Sequence, residues 1–528
     1  MKQEALRAWG LRMYLGDSLE KVRTSQRPAA TRLTAPPNEP HHKLEDILAK
    51  PSTRRLLGWL TELKSDNKCL FERLCENYDN PELTGLSRVA YGAATAIIDC
   101  FIRHYGGNRE ALKARLFHHP PTVRALALTA RSIAKYGFTA PQRFVAPLTV
   151  VWNFTQACNL TCKHCYQVAT RRPLSDELTL EERLMVVDQL AAAGVPFLAL
   201  AGGEPLVSKD IWPVLEHARR NHIHLTLATN GTLLTPETAA RLRECGVRYV
   251  EVSVDSVRPE EHDRFRGQPG AWARSVQGIR NSVAAGIRTA FAACITRHTA
   301  NQVDDLVNFA IDLGCSTFSH FNFIPVGRGI EMAGDDLEPE QREMVLRRLN
   351  DHLQEARIGI FSTAPQFGRN CIMYGALNDI YPTGHAGLGA GEKTRVLARY
   401  LGGCGAGRCY CSIQPNGAVT PCVYMPSPEV GNLRTQTLLD LFNSEPFRIL
   451  ADRDDRGDHC AVCDYKLYCG GCRARAFAYT GDMTAGDPGC IYNRHVWDAV
   501  LARKTADGAA ARENDAKYVQ LSGMALGS

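Results

Sequence analysis

Three closely spaced cysteines are the strongest chemical signal in this sequence. Cys158, Cys162 and Cys165 form a C-x3-C-x2-C pattern, so their thiolates can converge on one metal centre. A structural zinc ion would need a fourth cysteine or histidine, and His164 adjoins Cys165 too closely to share an ion with it. A [4Fe–4S] cluster normally has four cysteine ligands, so three thiolates leave one iron open to a small molecule. The pattern favours such a cluster, with zinc as the alternative.

A second and larger group of cysteines lies towards the C-terminal end. The sequence holds 19 cysteines, and nine of them are Cys404, Cys409, Cys411, Cys422, Cys460, Cys463, Cys469, Cys472 and Cys490. Clustered cysteines in a large chain without a secretory signal bind metal or do redox chemistry more often than they form disulfides. We therefore predict further metal centres here, either iron–sulfur clusters or zinc. The other seven are scattered, and most of them are predicted to be small buried hydrophobic side chains: Cys69, Cys75, Cys100, Cys245, Cys294, Cys315 and Cys371.

From Leu148 onward the sequence alternates short apolar strands with helices. Six strands are predicted, over Leu148–Phe154, Val195–Ala201, His224–Thr229, Tyr249–Asp255, Thr289–Ile295 and Thr317–Ile324. The first helix between them opens at a capping box formed by Thr179 and Glu182 and is closed by Gly194. This alternation predicts a parallel sheet with helices outside it. Ligands bind such sheets at the carboxyl ends of the strands.

Polar and glycine-rich segments follow the predicted strands at the ends where ligands would bind. The cysteine loop follows the first strand, and the next three end in Gly202-Gly203-Glu204-Pro205, Thr229-Asn230-Gly231 and Ser253-Val254-Asp255. Paired glycines let a backbone approach a ligand closely, and the carboxylate of Glu204 can accept hydrogen bonds from an ammonium group. Turn chemistry is the alternative interpretation for the last two segments. We expect all four segments to meet in one site.

These motifs resemble those of the radical SAM superfamily over about residues 148–330. The resemblance implies the α/β class, with a partial (β/α)6 TIM-like barrel. It also implies that Cys158, Cys162 and Cys165 hold a [4Fe–4S] cluster that binds and reductively cleaves S-adenosylmethionine (SAM). The 5′-deoxyadenosyl radical formed in this way would abstract hydrogen from a substrate. The SAM-binding residues implied by the resemblance are Tyr166, Gly202, Gly203, Glu204, Pro205, Thr229, Asn230, Ser253 and Asp255, with Phe323-Ile324-Pro325 near the adenine.

The C-terminal cysteines resemble the SPASM extension of radical SAM maturases, which carries two auxiliary [4Fe–4S] clusters for electron transfer. The family pattern assigns Cys404, Cys422 and Cys472 to the first cluster, with Cys409 or Cys411 as a further ligand. It assigns the second cluster to Cys460, Cys463, Cys469 and Cys490. The spacing between Cys469 and Cys472 is two residues, whereas three is common in the family. The assignment of Cys472 therefore rests on the rest of the pattern.

The substrate is narrowed to two classes by the segment that follows Cys469. Cys469-Gly-Gly-Cys472-Arg-Ala-Arg-Ala resembles enzymes that trim tetrapyrrole side chains and enzymes that mature peptides. Arg473 and Arg475 could pair with substrate carboxylates, or they could be structural partners of the cysteine loop. A small redox protein is the electron donor that this chemistry implies. An iron–sulfur electron carrier or scaffold without SAM chemistry is the alternative function.

Composition and organisation set outer limits on these interpretations. A net charge of +6 over 528 residues gives no argument for nucleic acid or a membrane surface. The sequence shows neither a secretory signal nor a stretch of ~20 apolar residues, which predicts a cytoplasmic protein without a membrane span. Residues 365–403 are glycine-rich and expected to be irregular. The predicted segments are a flexible tail (1–40), a helical region (41–147), the radical SAM core (148–375), a linker (376–403), the SPASM-type domain (404–495) and a C-terminal tail (496–528).

Overall fold

The structure, a computed structural model, describes most of the chain but not its two ends. It describes residues 43–77, 119–384, 387–427 and 429–502, together with a few single positions between 82 and 92. The predicted tail over 1–40 and the final residues 503–528 lie outside the described residues. Most of residues 78–118, within the helical region predicted over 41–147, also lies outside them.

A ten-stranded sheet is the framework of the molecule. The strands of the chain are β1 (Thr149–Thr155), β2 (Phe197–Gly202), β3 (His224–Thr229), β4 (Val247–Ser253), β5 (Arg288–Ile295), β6 (Thr317–Asn322), β7 (Gly359–Ser362), β8 (Ile380–Pro382), β9 (Leu388–Ala390), β10 (Tyr410–Ile413), β11 (Ala418–Thr420) and β12 (Gly431–Asn432). The order in the sheet is β12-β11-β10-β1-β2-β3-β4-β5-β6-β7, and β8 pairs separately with β9. Every pair from β10 through β1 to β7 is parallel, and the pairs β10–β11 and β11–β12 are antiparallel. The predicted parallel α/β core is confirmed, with β7 and β10 as additions to the six predicted strands.

Helices surround the sheet and connect its strands. The described helices are α1 (Lys43–Ala49), α2 (Pro51–Thr61), α3 (Leu70–Glu76), α4 (Pro120–Tyr136), α5 (Leu180–Ala193), α6 (Ile211–Arg220), α7 (Pro236–Glu244), α8 (Pro259–Arg266), α9 (Ala271–Ala284), α10 (Val303–Asp312), α11 (Pro339–Gln354), α12 (Gln366–Tyr374), α13 (Glu392–Leu401), α14 (Leu438–Phe442), α15 (Glu445–Ala451), α16 (Asp458–Val462) and α17 (Arg473–Thr480). The predicted capping box is present at α5, where the Glu182 side chain accepts from Thr179 N at 2.8 Å. Gly194 ends this helix with φ of 77°.

The two faces of the parallel strands carry different side chains, and this difference creates the site. Buried side chains facing the helices include Leu198, Leu200, Leu225, Leu227, Val250 and Val252. The opposite face carries small or polar side chains that line an internal cavity, including Ala199, Ala201, Thr226, Ala228, Glu251 and Ser253. Large apolar side chains fill the space under the helices, whereas alanines on the inner face leave room for a ligand.

The first and sixth strands approach each other at their carboxyl ends. Arg328 N, in the loop after β6, donates to Cys165 O at 3.0 Å, and Cys165 lies in the loop after β1. The Arg328 side chain also donates to Cys162 O at 2.8 Å and to Ala169 O at 2.7 Å. Strands five positions apart in the sheet therefore meet across the inner face, as the predicted barrel-like curvature requires.

The segment over 365–403 differs from its predicted irregular form. It contains α12, the β8–β9 hairpin and α13. Phe367, Cys371 and Ile372 on α12 are buried against the core, and this packing stabilises the helix. The many glycines of the region had favoured an irregular chain instead.

The N-terminal helices pack at the end of the sheet opposite the cysteines. Arg124 on α4 forms a buried ion pair with Glu72 at 3.1 Å and donates to Asn221 O at 2.8 Å, just before β3 begins. The cavity-lining residues begin at Val151, so the described N-terminal helices support the core without entering the site. Within the described residues, no helix combines the length and the apolar character needed to cross a bilayer.

Candidate active site

A cavity of about 450 Å³ lies against the carboxyl ends of the parallel strands. Its walls bring together cysteines from two distant parts of the sequence, namely Cys158, Cys162, Cys165, Cys404, Cys422 and Cys472. The cavity therefore connects the predicted SAM-cleaving loop with the first predicted group of auxiliary ligands.

The loop that carries the first three cysteines offers backbone N–H groups to their sulfur atoms. Leu160 N lies 3.4 Å from Cys158 Sγ, and Ala169 N lies 3.4 Å from Cys165 Sγ. Burial raises the pKa of Cys158 to about 12, so this thiol stays protonated at neutral pH unless a metal centre displaces the proton. The donor set therefore fits a cluster bound through thiolates.

The spacing of the side chains distinguishes a cluster from a single ion. Across the described parts of the chain, no three His, Cys, Asp or Glu side chains are grouped closely enough for one metal ion. A four-iron cluster is wider than one ion and keeps its thiolates farther apart.

Glu204 is a fully buried carboxyl group that three donors hold in place. Its oxygens accept from Thr229 Oγ1 at 2.8 Å, from Asn230 N at 2.8 Å and from Leu206 N at 3.2 Å. Burial raises its pKa to about 7 despite these donors. A buried carboxylate of this kind favours the approach of a cation. Thr229 and Asn230, predicted as ligand contacts, thus act partly by orienting Glu204.

The paired glycines lie directly against the cysteine loop. Gly202 has φ of 111°, a conformation that favours glycine. Gly203 N donates to Thr155 O at 2.7 Å, and Glu204 N donates to Ala157 O at 2.8 Å. A Cβ at Gly203 would lie 2.7 Å from the carbonyl carbon of Ala157. Glycine is therefore required for the close approach of the two loops.

Asp255 lies beside the cavity and is paired with an arginine that the sequence did not single out. Arg266 Nε and Nη2 donate to its carboxylate at 2.6 and 3.0 Å, and Cys294 N donates at 3.0 Å. Burial is the largest single effect and would raise the pKa of Asp255, but the charges of Arg266, His164 and His262 and the hydrogen bond from Arg266 together lower it to about 2. Arg266 lines the cavity and its Nη1 lies 3.8 Å from Cys162 Sγ. Asp255 thus positions Arg266, which is the group that faces the site.

The remaining predicted SAM contacts divide into cavity-facing and supporting residues. Tyr166 lines the cavity, donates to Asn153 Oδ1 at 3.0 Å and lies 5.0 Å from Tyr424, measured between ring centroids. Ser253 also lines the cavity, whereas Pro205 starts a short 3-10 turn behind Glu204.

Glu251 is a carboxyl group that lines the cavity and that the sequence did not single out. It lies on β4 two residues before Ser253, and its neighbours in register on β3 and β5 are Ala228 and Ala290. Burial raises its pKa, and a hydrogen bond with Ser319 partly offsets this effect. On sequence alone Glu251 was an ordinary alternating residue of a strand, so no local signal marked it.

The first group of C-terminal cysteines assembles beside the cavity. Burial is the main cause of the raised pKa of Cys422, and the charges of nearby Cys404 and Cys472 add to it. Cys409 also interacts with Cys404, whereas burial alone raises the pKa of Cys411. Cys411 pairs with Val150 inside the sheet. Of the other three cysteines, Cys404 is the one that affects the pKa of Cys409, and none of the three affects that of Cys411.

The second group of C-terminal cysteines lies farther from the cavity. Burial raises the pKa of Cys469, and the charges of Cys490 and Cys460 raise it further. Cys463 interacts in the same way with Cys460. Gly471 N lies 3.3 Å from Cys469 Sγ, and Asn493 Nδ2 lies 3.3 Å from Cys460 Sγ. The four predicted ligands of the second cluster therefore lie near one another. Two of their sulfur atoms, those of Cys469 and Cys460, each have an N–H donor.

Arg473 and Arg475 have structural partners. Arg473 Nη1 donates to the carbonyls of residues 483, 484 and 485 at 3.1, 3.2 and 2.7 Å. Arg475 Nη2 donates to Asn322 Oδ1 at 2.5 Å and to Phe323 O at 2.6 Å, at the end of β6. Both side chains are buried and neither lines the cavity. Of the two interpretations, their contacts favour the structural one.

Comparison with known proteins agrees with this architecture. The family model of the radical SAM superfamily matches residues 152–310, and that of an iron–sulfur cluster-binding domain, SPASM, matches residues 404–464. An AdoMet-dependent heme synthase of Methanosarcina barkeri is 35% identical, over 66% of this chain and 97% of the relative. The mycofactocin maturase MftC of Mycobacterium ulcerans is 30% identical, over 66% of this chain and 88% of the relative. The crystal structure of Streptococcus suis SuiB bound to S-adenosylmethionine has the same fold, with a TM-score of 0.54, 17% identity and coverage of 81% of this chain and 93% of SuiB.

Proposed function

Because this chain belongs to the radical SAM superfamily and carries a SPASM domain, we propose that it cleaves SAM and takes hydrogen from a tetrapyrrole bound in the cavity. Cys158, Cys162 and Cys165 would hold the [4Fe–4S] cluster that supplies the electron for SAM cleavage. The C-terminal cysteine groups would hold auxiliary clusters that exchange electrons with the substrate. The observation that carries this proposal is the single cavity shared by the two sets of cysteines.

Two charged groups near the cysteine loop suit the amino-acid part of SAM: Arg266 lines the cavity, and Glu204 is buried next to the cavity-lining Gly203. Glu204 would accept hydrogen bonds from its amino group, and Arg266 would pair with its carboxylate. Arg266 also lowers the pKa of Glu204, although burial and three hydrogen bonds have larger effects. The fixed positions of these two side chains would orient SAM before cleavage.

A tetrapyrrole is the substrate class that two independent features support. The match to the M. barkeri relative named as a heme synthase covers 97% of the length of that relative. The cavity also carries aromatic side chains on β6, on β7 and in the cysteine-rich domain, including Phe321, Phe323, Phe361 and Tyr424. A planar macrocycle buries large apolar faces and packs well against aromatic rings.

Iron coproporphyrin III, a carboxylate-bearing tetrapyrrole, provides a direct test. We expect it to bind the anaerobically reconstituted enzyme with a shift of its Soret band, and to increase 5′-deoxyadenosine formation from SAM under dithionite. A Phe361→Ser variant should bind the porphyrin about tenfold more weakly, because it loses one aromatic wall on β7, and should still cleave SAM. Failure of the porphyrin to bind or to stimulate SAM cleavage would contradict the tetrapyrrole assignment.

The same preparation tests the more general part of the proposal. Intact clusters without any 5′-deoxyadenosine would favour an iron–sulfur electron carrier instead. If SAM is cleaved but only a peptide stimulates its cleavage, the substrate class is that of the maturase relatives.

The ionisation of Glu204 should make SAM binding depend on pH. Its pKa is raised to about 7 in the absence of SAM, so it is mostly protonated at pH 6 and mostly ionised at pH 8. Only the ionised form strengthens its hydrogen bond to the amino group. We expect the ratio of SAM affinities, wild type to Glu204→Gln, to rise about tenfold from pH 6 to pH 8. Equilibrium dialysis with labelled SAM measures it, and a ratio that does not change with pH would remove Glu204 from the SAM site.

A further inference from the structure

A basic cleft lies on the outer side of the first group of C-terminal cysteines. It has a volume of about 260 Å³ and lies between the end of α4 and the cysteine-rich domain. Its lining includes Lys135, Tyr136, Arg143, Gly407, Arg408 and Arg448. We propose that this basic cleft docks an acidic, low-potential electron-transfer protein, which reduces the enzyme. The proposal rests on the proposed function, because it supplies the electrons that this function consumes.

The cations of the basic cleft form no ion pairs with acidic side chains of the described residues. Lys135, Arg143 and Arg448 are exposed, and none of them forms an ion pair with a described residue. No acidic residue is among those that line the cleft. Arg143 and Lys135 lie 4.8 and 5.2 Å from the centre of the Tyr136 ring, which orders them. The surface is therefore complementary to an acidic partner.

The floor of the cleft is the chain segment that carries two cysteines. Gly407 and Arg408 line the cleft, and they lie between Cys404 and Cys409 in the sequence. Consecutive Cα atoms are ~3.8 Å apart, so the segment that lines the cleft leads directly into Cys409. Ala406 and Cys404 face the active-site cavity from the same segment. This segment thus separates the cleft from the cavity, with cysteines between the two.

The floor and walls of the cleft are held in place before any partner binds. The buried guanidinium group of Arg408 donates to the carbonyls of Gln142, Tyr400, Leu401 and Gly402 at 3.0 to 3.4 Å. Tyr136 OH donates to Asn443 Oδ1 at 2.6 Å, which joins α4 to the segment after α14. A preformed surface loses little conformational freedom when a partner docks.

The proposed step transfers one electron and changes no covalent bond. The reduced iron–sulfur centre of the partner would lose one electron, and a cluster held by Cys404 and its neighbouring cysteines would gain it. The electron would then be next to the active-site cavity, because Cys404 lines that cavity. Steering by opposite charges raises the rate of such encounters and makes that rate fall as salt increases.

Charge reversal in the cleft tests the proposal with an acidic plant-type ferredoxin as the probe. We expect the triple variant Lys135→Glu, Arg143→Glu, Arg448→Glu to be reduced at least about tenfold more slowly by the reduced ferredoxin in anaerobic stopped-flow experiments. Reduction by dithionite should be unchanged, which also shows that the variant is folded and holds its clusters. The wild-type rate with ferredoxin should fall as ionic strength rises.

A matched control carries the same charge change elsewhere on the surface. Arg55, Lys209 and Arg280 are exposed on α2, before α6 and on α9, and their replacement by glutamate should leave the ferredoxin rate near that of the wild type. Equal rates for the cleft variant and the wild type, or an equal loss in the control, would overturn the proposed docking site. The readout is cluster reduction without SAM, so failure of SAM cleavage remains a separate result.

Discussion

Replacement of Cys158 by alanine is expected to abolish SAM cleavage and to leave the C-terminal iron–sulfur centres in place. With only Cys162 and Cys165 remaining, a cluster that already has one open iron would lose another ligand. The bound iron should fall by about four of about twelve atoms per chain, because each [4Fe–4S] cluster holds four. Iron analysis and chromatographic detection of 5′-deoxyadenosine after dithionite reduction measure both effects.

A buried cysteine outside all three groups is the control for this experiment. Cys315 lies in the hydrophobic core, and burial alone raises its pKa to about 12. Cys315→Ala should keep the full iron content and cleave SAM at close to the wild-type rate. A Cys158→Ala variant that still forms 5′-deoxyadenosine would show that the three-cysteine loop does not hold the SAM-cleaving cluster.

The sequence allowed prediction of the parallel core because its strands are short apolar runs bounded by turn residues. All six predicted strands are present as β1 to β6, with small differences at their ends. The predicted motifs lie at the carboxyl ends of these strands, and parallel topology alone then brings Glu204 and Cys158 to the same edge. This part of the site follows from chain order and strand direction, without knowledge of any side-chain contact.

Residues whose position depends on tertiary contacts escaped prediction. Arg266 lies on α8, a helix absent from the predicted pattern, and only its ion pair with Asp255 places it beside Cys162. Glu251 lies on the inward face of β4. The alternation of apolar and polar residues in this strand predicts a side chain that faces solvent instead. The surroundings of Cys411 depend on the pairing of β10 with β1, a contact over about 260 residues of sequence.

Replacement of Gly203 by alanine should be almost as damaging as loss of a cluster ligand, although Gly203 contributes no side chain. A Cβ there would lie 2.7 Å from the carbonyl carbon of Ala157 and 2.9 Å from Gln156 O, and both are backbone atoms. No side chain can rotate away, so the cysteine loop itself would have to move. The shift would strain the hydrogen bond from Glu204 N to Ala157 O, next to Cys158.

The expected result for Gly203→Ala is a loss of about 100-fold in the rate of SAM cleavage, because a displacement of ~1 Å at a reacting centre has effects of this size. Overpacking should also reduce stability by about 1–3 kcal/mol. Gly334→Ala is the matched control, since a Cβ there meets no atom within 4 Å, and it should behave as the wild type does. If Gly203→Ala cleaved SAM at the wild-type rate with a full complement of iron, close packing of the glycine pair against the cysteine loop could not be what positions Glu204 and Cys158 for the reaction.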